Sequence, residues 1–220
     1  MTGPMTAPLR HLLLCTIAIA ALATAQAQQL SEVPARTLRV AKAEVVSLAI
    51  APKEDRILVG LNKGAELYDL EKGKRLHVFP YSEDGATVVY YVGFNANGEK
   101  VVLIGHSGKR TVWNVTNGEQ EKVLRENLWI PEATEVRAMG LDTKNSAFDR
   151  FYQQTQVEHN GLVFRAAKKG VIEVVKDDKV IQQIAVPENK DQHHLAPILI
   201  FNGQLLAGTD DGRVLFYDLP

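Results

Sequence analysis

The adjacent histidines His193-His194 are the first residues in this chain whose types could do chemistry. Neighbouring residues of an extended chain point to opposite sides, so the two imidazoles cannot easily chelate one ion. No His-x-x-x-His motif or carboxylate cluster at ligand spacing accompanies them. Ser107 lacks the Gly-x-Ser-x-Gly elbow of a hydrolase, and Asp210-Asp211-Gly212 lacks the spacing of a calcium loop. The sequence therefore predicts no catalytic residue, no metal site and no cofactor.

Aromatic side chains are the second set of candidates, because exposed aromatics on converging loops are common binding anchors. Tyr81, Trp129 and the histidine pair lie in three connections that follow equivalent predicted strands. Phe151 and Tyr152 lie in an insertion, residues 142–158, where their spacing from each other and from Phe148 predicts that the three aromatics share one side of a short helix. In the alternative interpretation, Trp129 packs under its own loop and the insertion only covers its own repeat. The candidate binding residues are Tyr81, Trp129, His193, His194, Phe151 and Tyr152.

A repeat must position these side chains. Residues 45–79 contain four short apolar runs separated by turn residues (VVSLAI, ILVG, ELYDL and RLHVF), a pattern typical of a four-stranded antiparallel meander. The pattern recurs over 88–125, over 134–186, where the second half is clear, and over 195–219. Tyr68 and Trp113 occupy equivalent places about 45 residues apart, within the period of about 40–45 residues of WD repeats. One such sheet cannot bury both faces alone, so the copies must stack on one another.

The combination of a polar-Gly turn, an apolar strand and an aromatic-Asp pair resembles the WD-repeat family in a divergent bacterial form. Tyr68-Asp69, Trp113-Asn114 and Tyr217-Asp218 stand where that family places its Trp-Asp pair. Two features depart from the family. No Gly-His dipeptide precedes the first strand of any copy, and the third copy has Val174-Val175 in place of the pair. The resemblance implies an all-β propeller of about four four-stranded blades; a quinone-binding or other unrelated propeller is the alternative.

The two ends of the repeat region complement each other. The last copy stops after its third strand at Tyr217-Asp218-Leu219, whereas Arg36–Lys42 alternates as the fourth strands of the other copies do. The resemblance to WD-repeat propellers implies that the N-terminal strand completes the last blade, which removes exposed sheet edges. We therefore expect Leu38 and Val40 to pair alongside 214–219. Four blades are the lower limit for propellers, so either one chain closes a tight ring, which we favour, or two chains form an eight-bladed homodimer.

The first 27 residues form a separate unit. One cation, Arg10, precedes the apolar run 12–24, and Ala25-Gln26-Ala27 offers the small residues that signal peptidase accepts. The run is short for a membrane span of about 20 residues; an uncleaved anchor is the alternative. Cleavage would remove the single cysteine, Cys15, so the mature chain would have neither disulfides nor a thiol nucleophile. The sequence therefore predicts a signal peptide, a linker at 28–35 and a propeller at 36–220, with no further transmembrane segment.

Composition narrows the class of function. The chain has 25 basic and 26 acidic residues, a net charge of −1, so it lacks the basic surplus of a nucleic-acid-binding protein. We therefore predict a secreted or periplasmic scaffold without catalytic activity, which binds a protein or small ligand through one propeller face. The alternative is an exported propeller enzyme: a hydrolase, a lyase or a quinone-dependent dehydrogenase. The fold alone cannot decide between the two classes.

Overall fold

The computed structural model describes residues 29–81, 89–105, 109–124, 154–186 and 195–220. Within these ranges the chain forms four antiparallel four-stranded sheets, which we call blades one to four in chain order. Blade one contains β2 (Val45–Ile50), β3 (Arg56–Leu61), β4 (Gly64–Asp69) and β5 (Arg75–Pro80), and blade two contains β6 (Val89–Phe94), β7 (Lys100–Gly105), β8 (Arg110–Asn114) and β9 (Gln120–Leu124). Blade three contains β10 (Gln156–His159), β11 (Leu162–Ala167), β12 (Val171–Lys176) and β13 (Lys179–Ala185), and blade four contains β14 (Ile198–Phe201), β15 (Gln204–Gly208), β16 (Arg213–Asp218) and β1 (Arg36–Arg39). The prediction of an all-β propeller with four-stranded blades is confirmed.

The weak third copy has the same register as the others. Each of the first three blades carries a bulge between its third and fourth strands, at Leu67/Tyr68, Val112/Trp113 and Val174/Val175. A bulge inserts one extra residue and increases the local twist. Val175 therefore occupies the place of Tyr68 and Trp113, and Lys176 that of Asp69 and Asn114, so the predicted placement of the pair at Val174-Val175 is wrong by one residue.

Strand β1 completes blade four, as predicted. It runs antiparallel to β16, with Leu38 opposite Val214. Beyond the strand, the Val40 amide donates to the Gly212 carbonyl at 2.9 Å. The Leu38 side chain is buried, and the Arg36 guanidinium lies 5.0 Å from the centre of the Phe216 ring. Both ends of the repeat region thus contribute to a single sheet.

One residue of the segment predicted to be a linker, Leu30, lies in the core. Leu30 is only 2% exposed, and it packs with residues of blades three and four. The Gln182 side-chain amide of β13 clamps its backbone: Nε2 donates to the Leu30 carbonyl at 2.8 Å, and Oε1 accepts from the Leu30 amide at 2.9 Å. Within the predicted linker 28–35, Leu30 is therefore anchored to blade three. Similarly, β10 begins at Gln156, so the last three residues of the predicted insertion 142–158 belong to blade three.

Three apolar clusters join neighbouring blades. Blades three and four share a cluster that includes Phe164, Ile172 and Tyr217. Blades four and one meet at Leu38, Val45, Tyr68 and Phe216, among others. Blades one and two meet around Leu67, Phe79, Val92 and Trp113. Because each cluster draws side chains from two sheets, no one of these blades buries its core alone.

Candidate functional site

The candidate site lies on what we call the upper face, the end of the blades at which their inner strands β2, β6, β10 and β14 begin. Backbone and side-chain hydrogen bonds tie the upper ends together. The Val45 amide at the start of β2 donates to the Thr209 carbonyl of blade four at 2.9 Å. The Tyr81 hydroxyl, which follows blade one, donates to the Lys109 carbonyl of blade two at 2.9 Å. The connections of successive blades therefore converge on one face.

A cleft opens on this face where blade four meets blade one. The residues that line it are Arg39, Val40 and Lys42 from one connection and Asp210, Asp211 and Gly212 from the β15–β16 turn, and they enclose about 320 Å³. Gly212 has a φ of +83°, and a Cβ on it would collide with the Ala41 carbonyl. This position therefore requires glycine for both reasons. One wall of the cleft supplies cations and the other supplies carboxylates.

Asp211 is fixed on the acidic wall by its neighbours. Its carboxylate accepts from Arg213 Nε at 2.7 Å and from the Thr209 hydroxyl at 2.6 Å. Burial alone would raise the pKa of Asp211, but the hydrogen bonds from Arg213 and Thr209 outweigh it and lower the pKa. Asp211 thus stays ionised, with its charge partly balanced by the buried Arg213.

Glu66 holds the backbone of the opposite wall, the one that carries Arg39 and Lys42, in place. It is a buried carboxylate on β4 that accepts from the Ala41 amide at 3.1 Å, from the Tyr68 hydroxyl at 2.5 Å and from Arg75 at 2.9 Å. Burial, followed by the hydrogen bond to Glu66, raises the pKa of Tyr68. The carboxylate therefore holds the 40–42 connection against blade one.

Tyr81 does not have the exposure expected of a binding anchor. Its side chain is only 3% exposed and packs into the core between blades one and two. Its amide donates to the Lys63 carbonyl at 3.0 Å, and Lys109 Nζ lies 5.4 Å from the centre of its ring. Tyr81 instead positions two lysine-bearing turns of the upper face. The sequence suggested that Tyr81 is exposed, because it directly follows a predicted outer strand with one face exposed to solvent.

The other predicted binding residues lie outside the described residues: Trp129, Phe151, Tyr152, His193 and His194. Ser107 also lies outside them. The prediction that Trp129, Tyr81 and His194 share a face therefore stays a prediction. Within the described ranges, no three His, Cys, Asp or Glu side chains group closely enough to hold a metal ion. In the same ranges, no helix has the length and apolar character needed to cross a membrane.

A polar hub of hydrogen bonds between blades was not predicted. Gln154, just before β10, accepts at Oε1 from the Ser47 hydroxyl at 2.9 Å and from the Leu48 amide at 3.2 Å. Its Nε2 donates to the Leu48 carbonyl at 3.0 Å, and its own carbonyl accepts from the Ile198 amide at 2.6 Å. The Val92 amide completes the hub by donating to the Ser47 hydroxyl at 3.1 Å.

The hub joins residues of all four blades. A serine within the apolar run VVSLAI was the signal available in the sequence. A buried hydroxyl needs a partner, but here that partner is 107 residues away in the chain. No local pattern could have identified it.

Comparison with known proteins gives structural likeness at low identity. The chain is similar to the WD40 repeats of RRP9, with a TM-score of 0.39 and 10% identity over 81% of this chain and 53% of that chain. It is similar to U3-55K with a TM-score of 0.38 and 10% identity, over 81% of this chain and 54% of that one. The chain thus spans about half the length of these two. No protein-family model matches the chain, and no curated protein matches it.

Proposed function

We propose that this chain is a scaffold without catalytic activity that binds a partner protein through its upper face, outside the cytoplasm. The observation that carries the proposal is the cleft between Arg39, Lys42 and the Asp210–Gly212 turn. Its two walls carry opposite charges, so the partner segment that complements it bears both an acidic and a basic side chain. The cross-blade hydrogen bonds described above hold this surface in place, which lowers the entropy lost on binding.

Charge reversal tests this function. The double variant Arg39→Glu/Lys42→Glu changes the basic wall, and Lys53→Glu/Lys72→Glu changes two exposed lysines in turns at the opposite ends of the blades. We expect a partner captured by the parent chain from the native envelope or secreted fraction to bind the first variant at least about tenfold more weakly. Binding to the second variant should remain close to that of the parent. Equal binding by both variants would contradict a role for the cleft.

Export is the second part of the proposal. The support is the sequence of residues 1–27 together with the position of Leu30, because a cut after Ala27 would leave Leu30 and its clamp to Gln182 intact. We expect the intact mass of the exported protein to correspond to a chain that starts at Gln28. A mature protein that keeps Leu12–Leu22 would overturn this assignment in favour of a membrane anchor.

A further inference from the structure

The side-chain amide of Gln154 pairs with blade one as the peptide group of an added strand would. Strand β2 is the terminal strand of its sheet and is paired on one side with β3. On its other side, the amide and the carbonyl of the same residue, Leu48, both bond to the Gln154 amide, at 3.2 and 3.0 Å. A carboxamide has the same donor and acceptor as a backbone peptide group. Gln154 therefore substitutes for one residue of a strand at the edge of β2 that is not paired with β3.

The Ser47 and Leu48 groups that bond to Gln154 are buried, whereas Gln154 itself is accessible. Ser47 and Leu48 are 0% and 2% exposed, whereas Gln154 is partly exposed. The Ser47 hydroxyl adds a third polar contact by donating to Gln154 Oε1. Leaving these three groups without partners would destabilise the fold, because a buried donor or acceptor loses its hydrogen bonds to water without replacement. The edge thus needs an occupant that supplies both a donor and an acceptor.

We propose that Ser47 and Leu48 form a recognition site for a peptide group or a carboxamide, which Gln154 fills as a ligand from within the chain. An extended segment of a partner takes the place of the Gln154 amide by presenting its own N–H and C=O to Leu48, as in strand addition to a sheet edge. A carboxylate does not fit, because it has no donor for the Leu48 carbonyl. The use of this site by a partner rests on the proposed scaffold function, but its chemistry can be tested without any partner.

The test removes the internal ligand and supplies a small replacement. Gln154→Ala leaves the Leu48 pair and the Ser47 hydroxyl open, and propionamide is the probe, with sodium propionate as its matched control. We expect the unfolding equilibrium constant of Gln154→Ala to fall about tenfold when propionamide reaches about ten times its Kd. Propionate at equal ionic strength should leave the constant unchanged. The control variant Gln156→Ala, at an exposed position two residues further along β10, should respond to neither compound.

A second measurement covers the case in which Gln154→Ala does not fold in buffer. Its refolding yield is then compared in propionamide and in propionate, and recovery in propionamide alone supports the proposal. Equal response to the two compounds, or no response to either, would overturn it and leave Gln154 as a structural link only. That result would not affect the scaffold function, which the Arg39 and Lys42 variants test at a different part of the upper face.

Discussion

At the scale of single residues, two tyrosines of equivalent strands differ in how their hydroxyls are satisfied. Tyr68 on β4 donates to Glu66, whereas the Tyr217 hydroxyl on β16 is fully buried without a hydrogen-bond partner among the described residues. Burial raises the pKa of Tyr217, although the charge of Arg213 opposes the shift. The same repeat position thus carries a satisfied polar group in one blade and a costly one in another.

Replacing the two tyrosines by phenylalanine should have opposite effects. Tyr217→Phe removes an unsatisfied buried hydroxyl, so we expect the free energy of unfolding to rise by about 1 kcal/mol. Tyr68→Phe removes a donor from the buried Glu66 carboxylate, so we expect that free energy to fall by about 1–2 kcal/mol. Urea unfolding with unchanged m-values measures both changes. A loss of stability in Tyr217→Phe would show that its hydroxyl has a partner in solution.

Asp211 gives the acidic wall of the cleft a defined pH dependence. Its pKa is lower in the folded chain than in the unfolded chain, so it binds fewer protons when folded. Its contribution to stability is therefore present above the unfolded-state pKa of about 3.9 and is lost as the pH falls through the folded-state pKa. We expect Asp211→Asn to lose at most about 1 kcal/mol at neutral pH, because the carboxylate is 38% exposed. Urea midpoints from pH 7 to pH 2 should show a shallower acid decline than in the parent; an identical decline would contradict the assignment.

At the scale of elements, β1 links the start of the repeat region to its last blade. Leu38 is 4% exposed and packs at the junction of blades four and one, whereas the neighbouring Thr37 is exposed. We expect Leu38→Ala to lower the free energy of unfolding by about 2–4 kcal/mol, and Thr37→Ala to change it by less than about 0.5 kcal/mol. Thermal and urea unfolding measure both. Similar small effects of the two variants would mean that β1 adds little to the closure of blade four.

Elements were more predictable from the sequence than the site was. The strands follow from polar-Gly turns and apolar runs, which are local signals, so β2 to β5 fall where the VVSLAI–RLHVF pattern placed them. Leu30 was assigned to a linker because its partner Gln182 is 152 residues away. Glu66 likewise has no repeat signal, since its role depends on the Ala41 amide of another connection. Turn chemistry thus predicts the blades, while contacts between distant segments determine the site.

At the scale of the whole molecule, the hub at Gln154 helps to decide whether one chain or two chains would form a closed ring of blades. Blade three packs on blade four, and blade four packs on blade one. Blades three and one are therefore two places apart in the order in which the blades pack, and still Gln154 before β10 of blade three bonds directly to Ser47 and Leu48 of blade one. Direct contact between alternate blades requires a narrow central channel. A ring of four blades has the narrowest channel among propellers, which range from four to eight blades.

We therefore predict that the chain is a monomer with a single four-bladed ring. In an eight-bladed ring shared by two chains, alternate blades would be separated by a wider channel, and the Gln154–Leu48 bonds could not form as they do here. Because β1 completes blade four within the same chain, blade four needs no strand from a second copy. Sedimentation equilibrium over a wide range of protein concentrations should give the mass of one chain throughout. Gln154→Ala should leave that mass unchanged, because the hub acts within one ring. A dimer that persists at the lowest measurable concentration would instead favour the shared ring, and the interpretation of Gln154 as a contact across a narrow channel would fail with it.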